Sequence, residues 1–366
     1  MNKKKINVGI LFGGKSAEHE ISLLSAKNII EAIDKDKYQP VLIGIDKSGR
    51  WLLHDSADYL LNSDNPKLIK LNRSDKQVTL VPHSEGRLTS LSGNSENKSI
   101  DVIFPVMHGP FGEDGSIQGM LKMADLPFVG AGVLGSAIGM DKDVMKRLLR
   151  DAGIPIARFI SLRPDGKYPD YDAVVSNLGS PFFIKPANMG SSVGVSRITS
   201  EEDFDASIKL AFKYDNKILI EENIAGREIE CAVLGNDDPM ASVPGEIIPK
   251  HDFYSYDAKY LDENGAELVV PARLSEGIVT AIKELSISAF KVLSCDGMAR
   301  IDFFLADTGD LFVNEINTIP GFTSISMYPM LWQASGISYS DLIDRLIELA
   351  FERFNSEKRL STDYES

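Results

Sequence analysis

The sequence predicts an α/β protein that begins with a parallel-sheet domain. Two observations support this fold class. Along the first part of the chain, short apolar strands alternate with amphipathic helices, and such alternation is typical of a parallel sheet covered by helices. The chain is also 366 residues long, which is more than a single hydrophobic core usually organises, so two or three domains are expected.

The first domain is expected to span residues 1–130, and hydrophobic patterning assigns its elements in order. A polar and poorly patterned stretch over 62–99 receives no helix or strand. The predicted elements are strand 6–12, a helix over 17–33, strand 40–45, strand 101–105 and helix 116–124.

Two further units are expected, over residues 131–225 and 226–366. Apolar runs and helix-start signals define their elements, and Ser340 is predicted to cap the last helix. The predicted elements are helices 141–152, 201–213, 276–293 and 340–354, strands 156–162, 182–185, 194–198, 217–222, 227–234, 242–248 and 268–270, and a hairpin over 299–317.

The composition excludes several classes of protein. The net charge is −14, which disfavours nucleic acid as a partner because a phosphate backbone needs a basic face. No stretch approaches the roughly 18 apolar residues of a membrane span, and the basic N-terminus leads into a strand rather than a signal peptide. Cys231 and Cys295 lie in apolar runs without metal-site spacing. A cytoplasmic protein without a membrane partner is therefore expected.

One nucleotide-binding pattern is rejected. Residues 9–16 (GILFGGKS) fit G-x-x-x-x-G-K-[ST] letter for letter, but this pattern forms a phosphate loop only between a strand and a helix. Its first four letters belong to the hydrophobic strand, which leaves no room for the loop. The segment instead predicts a strand, a glycine turn and a helix start that places Glu18 at the carboxyl edge of the sheet, where small ligands bind.

The hairpin over 299–317 is the strongest candidate for a metal site. Because side chains alternate along a strand, Arg300 and Asp302 share one face, as do Glu315 and Asn317 on the second strand. The hairpin can therefore bring three oxygen donors and one guanidinium to one place. Oxygen ligands suit Mg²⁺ or Mn²⁺, especially when nucleotide phosphates complete the coordination shell.

The alternative is that these acids are solvated on an exposed hairpin. We prefer that interpretation for Asp307 and Asp310, which lie in the turn. The other acids have apolar neighbours, which favours the metal site.

A phosphate site is predicted after a buried strand that ends at Lys185. A lysine at this position is costly without an anionic partner. In the loop that follows, Gly190 and Gly194 let backbone N–H groups approach a phosphate, and Ser191 and Ser192 add hydroxyl donors.

The helix predicted over 141–152 carries two lysines with different expected roles. Lys142, at the helix start, is suited to a phosphate. Lys146, one turn later, is interpreted as a generic surface lysine. Taken alone, Lys142 could also be such a residue.

Seven motifs of this chain resemble those of the D-alanine–D-alanine ligases, which belong to the ATP-grasp superfamily, and they occur in the same order along the chain. The resemblance runs almost from end to end, and several motifs in one order are far more specific than any one alone. The motifs are LFGGKSAEHEIS (11–22), VMHGPFGEDGSIQGML (106–121), MDKDVMKRLL (140–149), FFIKPANMGSSVGV (182–195), ILIEENIAGREIECAVL (218–234), DFYSYDAKY (252–260) and the stretch 300–329.

The resemblance implies a two-lobed ATP-grasp fold, of α+β type, after the first domain. It also implies ATP as the energy source, with Mg²⁺ or Mn²⁺, two ions per site, held by Asp302, Glu315 and Asn317. The adenine would be bound largely by main-chain groups at a strand edge and the ribose by Glu228. The nucleotide-binding residues implied are Lys142, Lys185, Ser191, Ser192, Glu221, Glu222, Ile224, Glu228 and Lys259.

For the chemistry, the resemblance implies that two D-alanines are joined through an acyl phosphate. Glu18 would anchor the ammonium of the first D-alanine. Arg300 and the backbone N–H of Gly321 would stabilise the oxyanion, and Ser326 would bind the carboxylate of the second substrate. His108 is assigned to positioning of the first substrate, although a lone histidine is more often structural.

The segment 251–264 would be a lid that excludes water from the acyl phosphate. In this reading Tyr260 pairs with Ser192 and Glu18 across the lid. Tyrosine at this position implies dipeptide synthesis, whereas similar ligases with phenylalanine there also accept D-lactate.

Two alternatives remain open. One is an ATP-grasp carboxylate–amine ligase with other substrates. The other is a non-catalytic sensor of ADP or an amino acid, which the full set of metal and oxyanion residues disfavours. By resemblance, a homodimer through the first domain is expected.

Overall fold

The computed structural model describes residues 4–55, 59–63, 65–91, 98–250 and 265–361. Its strands are grouped into three main sheets and two small ones. The strands are β1 (Ile6–Gly13), β2 (Tyr38–Ile45), β3 (Trp51–His54), β4 (Leu60–Leu61), β5 (Lys70–Leu71), β6 (Val78–Leu80), β7 (Leu88–Ser90), β8 (Val102–Pro105), β9 (Phe159–Leu162), β10 (Phe182–Pro186), β11 (Ser196–Ile198), β12 (Ile218–Glu222), β13 (Gly226–Gly235), β14 (Met240–Ala241), β15 (Gly245–Pro249), β16 (Ala266–Val269), β17 (Gly297–Ala306) and β18 (Leu311–Asn317).

The helices lie between these strands and after them. A single 3₁₀ turn, Glu201–Asp203, precedes the sixth helix. The α-helices are α1 (His19–Ala32), α2 (Ser116–Met123), α3 (Val133–Met140), α4 (Lys142–Asp151), α5 (Tyr171–Leu178), α6 (Phe204–Ala211), α7 (Glu276–Val292), α8 (Met327–Ala334) and α9 (Tyr339–Glu357).

The N-terminal sheet has the strand order β3-β2-β1-β8. β1 pairs in parallel with β2 and β8, as predicted, while β3 adds an antiparallel edge. β1 is buried from Val8 to Gly13, which confirms that the rejected phosphate-loop pattern is a strand. The polar stretch over 62–99 does contain short strands, β5 to β7, which form small two-stranded sheets with β4 or with each other. Strands of two or three residues are too short to leave a clear periodicity in the sequence.

The central sheet has the order β11-β10-β12-β9 and is antiparallel throughout. Its apolar face packs on α5 and α6 as a separate core, which includes Phe182, Ile184, Phe204 and Ile208. α6 is shorter than predicted because the chain makes a 3₁₀ turn over Glu201–Asp203 before the α-helix begins.

The C-terminal sheet has the order β16-β15-β13-β17-β18, with β14 paired to β13. β17 and β18 form the predicted hairpin, and the pairing register shifts between Asp302 and Phe303. α7 covers this sheet in a core that contains Ile229, Phe290 and Ile301.

One hydrophobic cluster joins the N-terminal sheet to the C-terminal helices. It contains Phe104 from β8, Phe322 from the loop after β18, and Trp332 from α8. The rings of Phe104 and Phe322 pack edge to face, with their centroids 5.8 Å apart. The first and last parts of the chain therefore share a core, while the central sheet has its own.

One predicted helix cap is wrong, and three helices were missed. α9 is capped by Ser338 rather than Ser340, because the Ser338 hydroxyl accepts the N–H of Asp341 at 3.2 Å. Helices α3, α5 and α8 were not predicted from the sequence. Within the described ranges, no helix combines the length and apolar character needed to cross a bilayer.

Candidate active site

The β17–β18 hairpin places its polar side chains opposite one another. Arg300 is paired with Asn317 and Asp302 with Glu315. On the other side of β17, Asp302 is paired with Glu230 of β13. Three carboxylates therefore lie in a row across three strands, and directly opposed side chains in an antiparallel pair are about 5 Å apart at Cβ. Like charges at this spacing repel unless cations lie among them.

The cation nearest to this row is Arg300. Its Nε and Nη2 donate to the two carboxylate oxygens of Asp302, both at 2.7 Å, and Nε lies 2.9 Å from Glu230 Oε2. Asn317 Nδ2 also donates to Asp302, at 3.0 Å. Glu315 faces a different cation, with its Oε2 3.5 Å from Lys142 Nζ. The guanidinium of Arg300 is thus held by two acids, one of which, Glu230, the sequence did not single out.

The residues predicted to hold a metal fit oxygen-ligand chemistry. No group of three or more His, Cys, Asp or Glu side chains in the described ranges is arranged to hold a metal ion; the predicted set has two carboxylates and one amide. Asn314, next to Glu315, lines the adjoining cavity, and among the described residues its buried Oδ1 has no hydrogen-bond partner. That oxygen is available to a bound donor or cation. The metal-binding role of Asp302, Glu315 and Asn317 stays a prediction.

A cavity of about 540 Å³ lies between the central sheet and β18. All the predicted nucleotide-binding residues in the described ranges line it. They are Lys142, Lys185, Ser191, Ser192, Glu221, Glu222, Ile224 and Glu228. Lys259, the remaining residue of that set, lies outside the described residues.

The loop after β10 has an unusual backbone. Ser191 and Ser192 have φ values of 51° and 59°, and Gly194 has a φ of 73°. Left-handed conformations at two residues that have a Cβ cost about 1–2 kcal/mol each. Strain of this kind is concentrated at ligand-binding loops. The position of the loop on the cavity wall therefore suits a ligand that it grips through its backbone and hydroxyls.

Glu221 and Glu222, at the end of β12, use their side chains differently. Glu222 accepts two hydrogen bonds from Arg158, from the backbone N–H and from Nε, both at 2.6 Å. Glu221 is buried, with Lys185 Nζ donating to Oε1 at 2.6 Å and Lys146 Nζ 2.7 Å from Oε2. Because both carboxylates are engaged by basic side chains, the groups of Glu221 and Glu222 that suit an adenine ring are their main-chain N–H and C=O groups.

Lys146 is not a surface residue. It is fully buried, with 0% relative exposure, because α4 packs this face towards β12. Burial lowers the pKa of its ammonium, and the neighbouring Glu221 counteracts part of that effect. Burial likewise pushes the pKa of Glu221 upward, but Lys146 and Lys185 together hold it below its ordinary value. The sequence interpretation was wrong because the lysines and arginines of α4 look alike until their packing is known.

A smaller cavity of about 50 Å³ adjoins the first. Lys142, Gly190, Ser191 and Glu315 line both cavities. The other polar side chains around the smaller one are Glu18, Glu113, Arg300, Asn317 and Thr318. A small molecule held there would lie beside the end of a ligand in the larger cavity.

Glu18 contacts the loop over residues 190–194, which follows β10. The Ser191 hydroxyl donates to Glu18 Oε1. This contact was not predicted; the prediction was that Tyr260 pairs with Ser192 and with Glu18, and it stays a prediction. Tyr260, the third member of that predicted group, lies outside the described residues.

Glu113 is a site residue that the sequence analysis missed. Its Oε2 accepts the N–H of Gly109 at 2.7 Å, and its Oε1 accepts the N–H of Ile319 at 3.2 Å. Burial, and then the nearby charge of Glu18, raise the pKa of Glu113 to about 8. Its position in the glycine-rich run GPFGEDG (109–115) was the available signal, because acids in such loops at a sheet edge commonly face a ligand.

His108 is buried and contacts the loop that carries Gly321. Its Nδ1 lies 3.0 Å from the carbonyl oxygen of Ile319, so Nδ1 carries the proton and donates. Its Nε2 lies 3.4 Å from the hydroxyl of Ser25, which accepts the N–H of Phe322 at 3.2 Å. Burial lowers the pKa of the imidazole. The described contacts of His108 are with the protein, and its predicted role next to the first substrate stays a prediction.

Gly321 and Ser326 lie very close together. A Cβ on Gly321 would be 2.7 Å from the Ser326 hydroxyl oxygen, so alanine at this position would require Ser326 or the backbone to shift. Ser326 Oγ accepts the N–H of Thr323 at 2.9 Å. The close approach holds the backbone of residue 321 against the start of α8.

Comparisons with known proteins agree with this geometry. The family described as "D-ala D-ala ligase N-terminus" matches residues 7–131. The family described as "D-ala D-ala ligase C-terminus" matches residues 148–348.

Two relatives are similar along nearly their whole length. A D-alanine–D-alanine ligase of Shouchella clausii is 56% identical over 99% of this chain and 98% of its own. D-alanine–D-alanine ligase A of Escherichia coli strain K12 is 55% identical over 98% of this chain and 99% of its own.

Solved structures give the same result. The D-alanine–D-alanine ligase from Coxiella burnetii superposes with a TM-score of 0.85 at 38% identity, covering 98% of this chain and 97% of that one. The VanG D-Ala:D-Ser ligase from Enterococcus faecalis superposes with a TM-score of 0.83 at 34% identity, covering 95% and 100%. The chain belongs to the D-alanine–D-alanine ligase family and has its ATP-grasp fold.

Proposed function

We propose that the protein joins two D-alanines into D-alanyl-D-alanine at the expense of ATP, for the synthesis of peptidoglycan precursors. The observation that carries this proposal is the pair of adjoining cavities. The larger has two lysines and a strained glycine-serine loop on its wall, which suits a nucleotide triphosphate. The smaller has acids beside a guanidinium, which suits a zwitterionic amino acid.

In the first step, the carboxylate of one D-alanine attacks the γ-phosphorus of ATP. An acyl phosphate forms and ADP leaves. Glu18 holds the ammonium of this D-alanine, and Lys142 and Lys185 neutralise phosphate oxygens. Because phosphoryl transfer requires little covalent help from the protein, positioning and charge neutralisation do most of the work.

In the second step, the amine of the other D-alanine, once it has lost a proton, attacks the acyl carbon. The tetrahedral intermediate carries an oxyanion, which Arg300 and the N–H of Gly321 stabilise. The C–N bond forms and the C–O bond to phosphate breaks, so phosphate leaves. Glu230 and Asp302, which bracket Arg300, keep its guanidinium aimed, and Ser326 receives the carboxylate of the attacking substrate.

Mg²⁺ or Mn²⁺, two ions per site, would be held by Asp302, Glu315 and Asn317. A divalent ion there supplies positive charge to the phosphates. Lys142 lies beside Glu315 and Arg300 beside Asp302, so both carboxylates already favour a cationic neighbour.

The similarity to a D-Ala:D-Ser ligase makes the second substrate the point to test. Purified protein with ATP and Mg²⁺ is supplied with D-alanine alone, with D-alanine plus D-serine, and with L-alanine. We expect phosphate release with D-alanine alone and a product with the mass of D-alanyl-D-alanine. If mass spectrometry finds D-alanyl-D-serine as the main product in the mixture, the substrate assignment is wrong while the ligase assignment stands. Phosphate release that does not depend on any amino acid would contradict both.

We also propose three broader features. The chain divides into domains over 1–130, 131–225 and 226–366; the family match over 7–131 supports the first boundary, while the match over 148–348 spans the second. It forms a homodimer through the first domain, which light scattering of the wild-type protein tests. It acts in the cytoplasm, in keeping with two buried free thiols, Cys231 and Cys295, and a fractionation experiment tests this.

A further inference from the structure

Three buried charges lie in and behind the wall of the larger cavity, the one proposed to bind the nucleotide. Lys146 and Lys185 face opposite oxygens of a single carboxylate, Glu221, at 2.7 and 2.6 Å. The side chains of Lys146, Glu221 and Lys185 are 0%, 3% and 10% exposed. Lys185 and Glu221 line the cavity, whereas Lys146 does not.

This arrangement leaves one positive charge uncompensated. Two ammonium groups share one carboxylate, and buried charges need partners to be tolerated. Without Lys146, the carboxylate would be paired with Lys185 alone and would cancel its charge. With Lys146 present, Oε2 of Glu221 faces Lys146 and Oε1 faces Lys185. The carboxylate then neutralises only part of the charge of Lys185, and the rest is available to a phosphate.

We propose that Lys146 is a positioning residue for nucleotide binding, which holds Glu221 from behind so that Lys185 keeps its charge for the ligand's phosphates. Lys146 acts through Glu221 and does not touch the nucleotide. This inference rests on the proposed nucleotide site, whose other contacts do not involve Lys146.

The geometry of the pair supports an electrostatic role over a purely structural one. Lys146 Nζ lies 2.7 Å from Glu221 Oε2, and both side chains are almost fully shielded from solvent. A methionine side chain has a similar length and could fill the same space without the charge. Because replacing a buried ion pair by apolar groups is often neutral or stabilising, the charge of Lys146 is better explained by function than by stability.

The test is direct titration of ADP with Mg²⁺ into four proteins. They are the wild type, Lys146→Met, the double variant Lys146→Met/Glu221→Gln, and Arg150→Met. Arg150 is an exposed cation one turn further along α4, so its variant controls for the loss of a positive charge from that helix.

We expect Lys146→Met to weaken ADP binding at least about tenfold, which corresponds to about 1.4 kcal/mol, and to leave the KM for D-alanine unchanged. The double variant restores the excess of one positive charge and should recover most of the loss. Arg150→Met should bind ADP like the wild type. If Lys146 had only a structural role, a second change at Glu221 would not restore ADP affinity.

Unchanged ADP affinity in Lys146→Met would overturn the inference, as would a double variant that binds no better than the single one. If circular dichroism shows that Lys146→Met does not fold, the ADP affinity of the double variant is the deciding measurement. An affinity like that of the wild type supports the inference, and a loss of about tenfold or more overturns it. If the wild-type protein itself binds no ADP, the nucleotide site and this inference both fail, which separates that outcome from a defect seen only in the variants.

Discussion

Gly321→Ala is the most direct test of the predicted oxyanion site. The added Cβ would lie 2.7 Å from the Ser326 hydroxyl oxygen, whereas ordinary contacts between such atoms are about 3.5 Å or longer. Either the backbone at 321 or Ser326 must therefore move by several tenths of an ångström. Ser326 Oγ is held by Thr323 N and lies 2.8 Å from Thr323 Oγ1, so moving the hydroxyl would weaken these contacts and part of the displacement is expected to fall on the 321 backbone.

A misplacement of about 1 Å at a reacting group can lower a rate about 100-fold. We expect Gly321→Ala to lower kcat/KM for dipeptide synthesis by about 10- to 100-fold, with ADP affinity unchanged. Thermal unfolding should change little, since Phe322 remains bonded to Ser25 and Asn28.

The matched control is Gly277→Ala in α7, where a Cβ meets no atom within 4 Å. Both variants are assayed by phosphate release at saturating ATP over a range of D-alanine concentrations. A Gly321→Ala enzyme with the same kcat/KM as Gly277→Ala would refute the close approach as a catalytic requirement.

Four further predictions follow from the site. Glu315→Gln should retain the fold, seen by circular dichroism, and lose about 100-fold or more of its turnover, because a charge facing the metal is removed; near-normal turnover would exclude Glu315 from the metal site. Lys185→Ala should weaken ADP at least about tenfold in direct titration, since a charged hydrogen bond is worth about 1.5–3 kcal/mol, and should leave D-alanine binding unaffected. Burial raises the pKa of Glu113 in the folded protein to about 8, well above its ordinary range, so the folded protein holds a proton that the unfolded chain loses between the two values. The melting temperature of the wild type relative to Glu113→Gln should therefore fall as pH rises through this window and level off above it. A constant difference across that window would show that Glu113 titrates normally. Tyr260→Phe, a change outside the described residues, should allow D-alanyl-D-lactate synthesis at acidic pH while dipeptide synthesis survives, and a complete absence of depsipeptide by mass spectrometry at any pH would remove Tyr260 as the selector.

The sequence predicted the parts of the site that depend on local patterns. Strand alternation was enough to predict that Arg300 and Asp302 share a face of the hairpin with Glu315 and Asn317. The pairing of Asp302 with Glu315 depends on the register shift between Asp302 and Phe303, which the sequence did not predict. The glycine and serine letters after Lys185 likewise indicated a loop that approaches a ligand. Both features arise within a few residues of chain.

The sequence could not predict features that depend on distant segments. His108 contacts Ile319 across 211 positions, and no local pattern carries that information. Lys146 was misread because an amphipathic pattern distinguishes polar from apolar faces but not an exposed lysine from one that is buried against an acid on another strand. Glu113 lies inside a recognised motif, yet its neighbours Glu18 and Ile319 become apparent only in the fold.

Helix α1 links two parts of the site that act on different atoms of the substrates. Glu18 immediately precedes the helix, and Ser25 and Asn28 on its later turns bond Phe322, next to Gly321. Seven residues of helix span about 10 Å, so this one rod sets the distance between the predicted ammonium anchor and the oxyanion donor.

The N-terminal sheet and the C-terminal helices also share one hydrophobic cluster, whereas the central sheet has a separate core. A hinge between the first and last parts of the chain would pull the ammonium anchor away from the oxyanion donor and break their common core. We therefore expect the ammonium anchor and the oxyanion donor to keep their spacing whenever the central sheet, with its separate core, shifts relative to them.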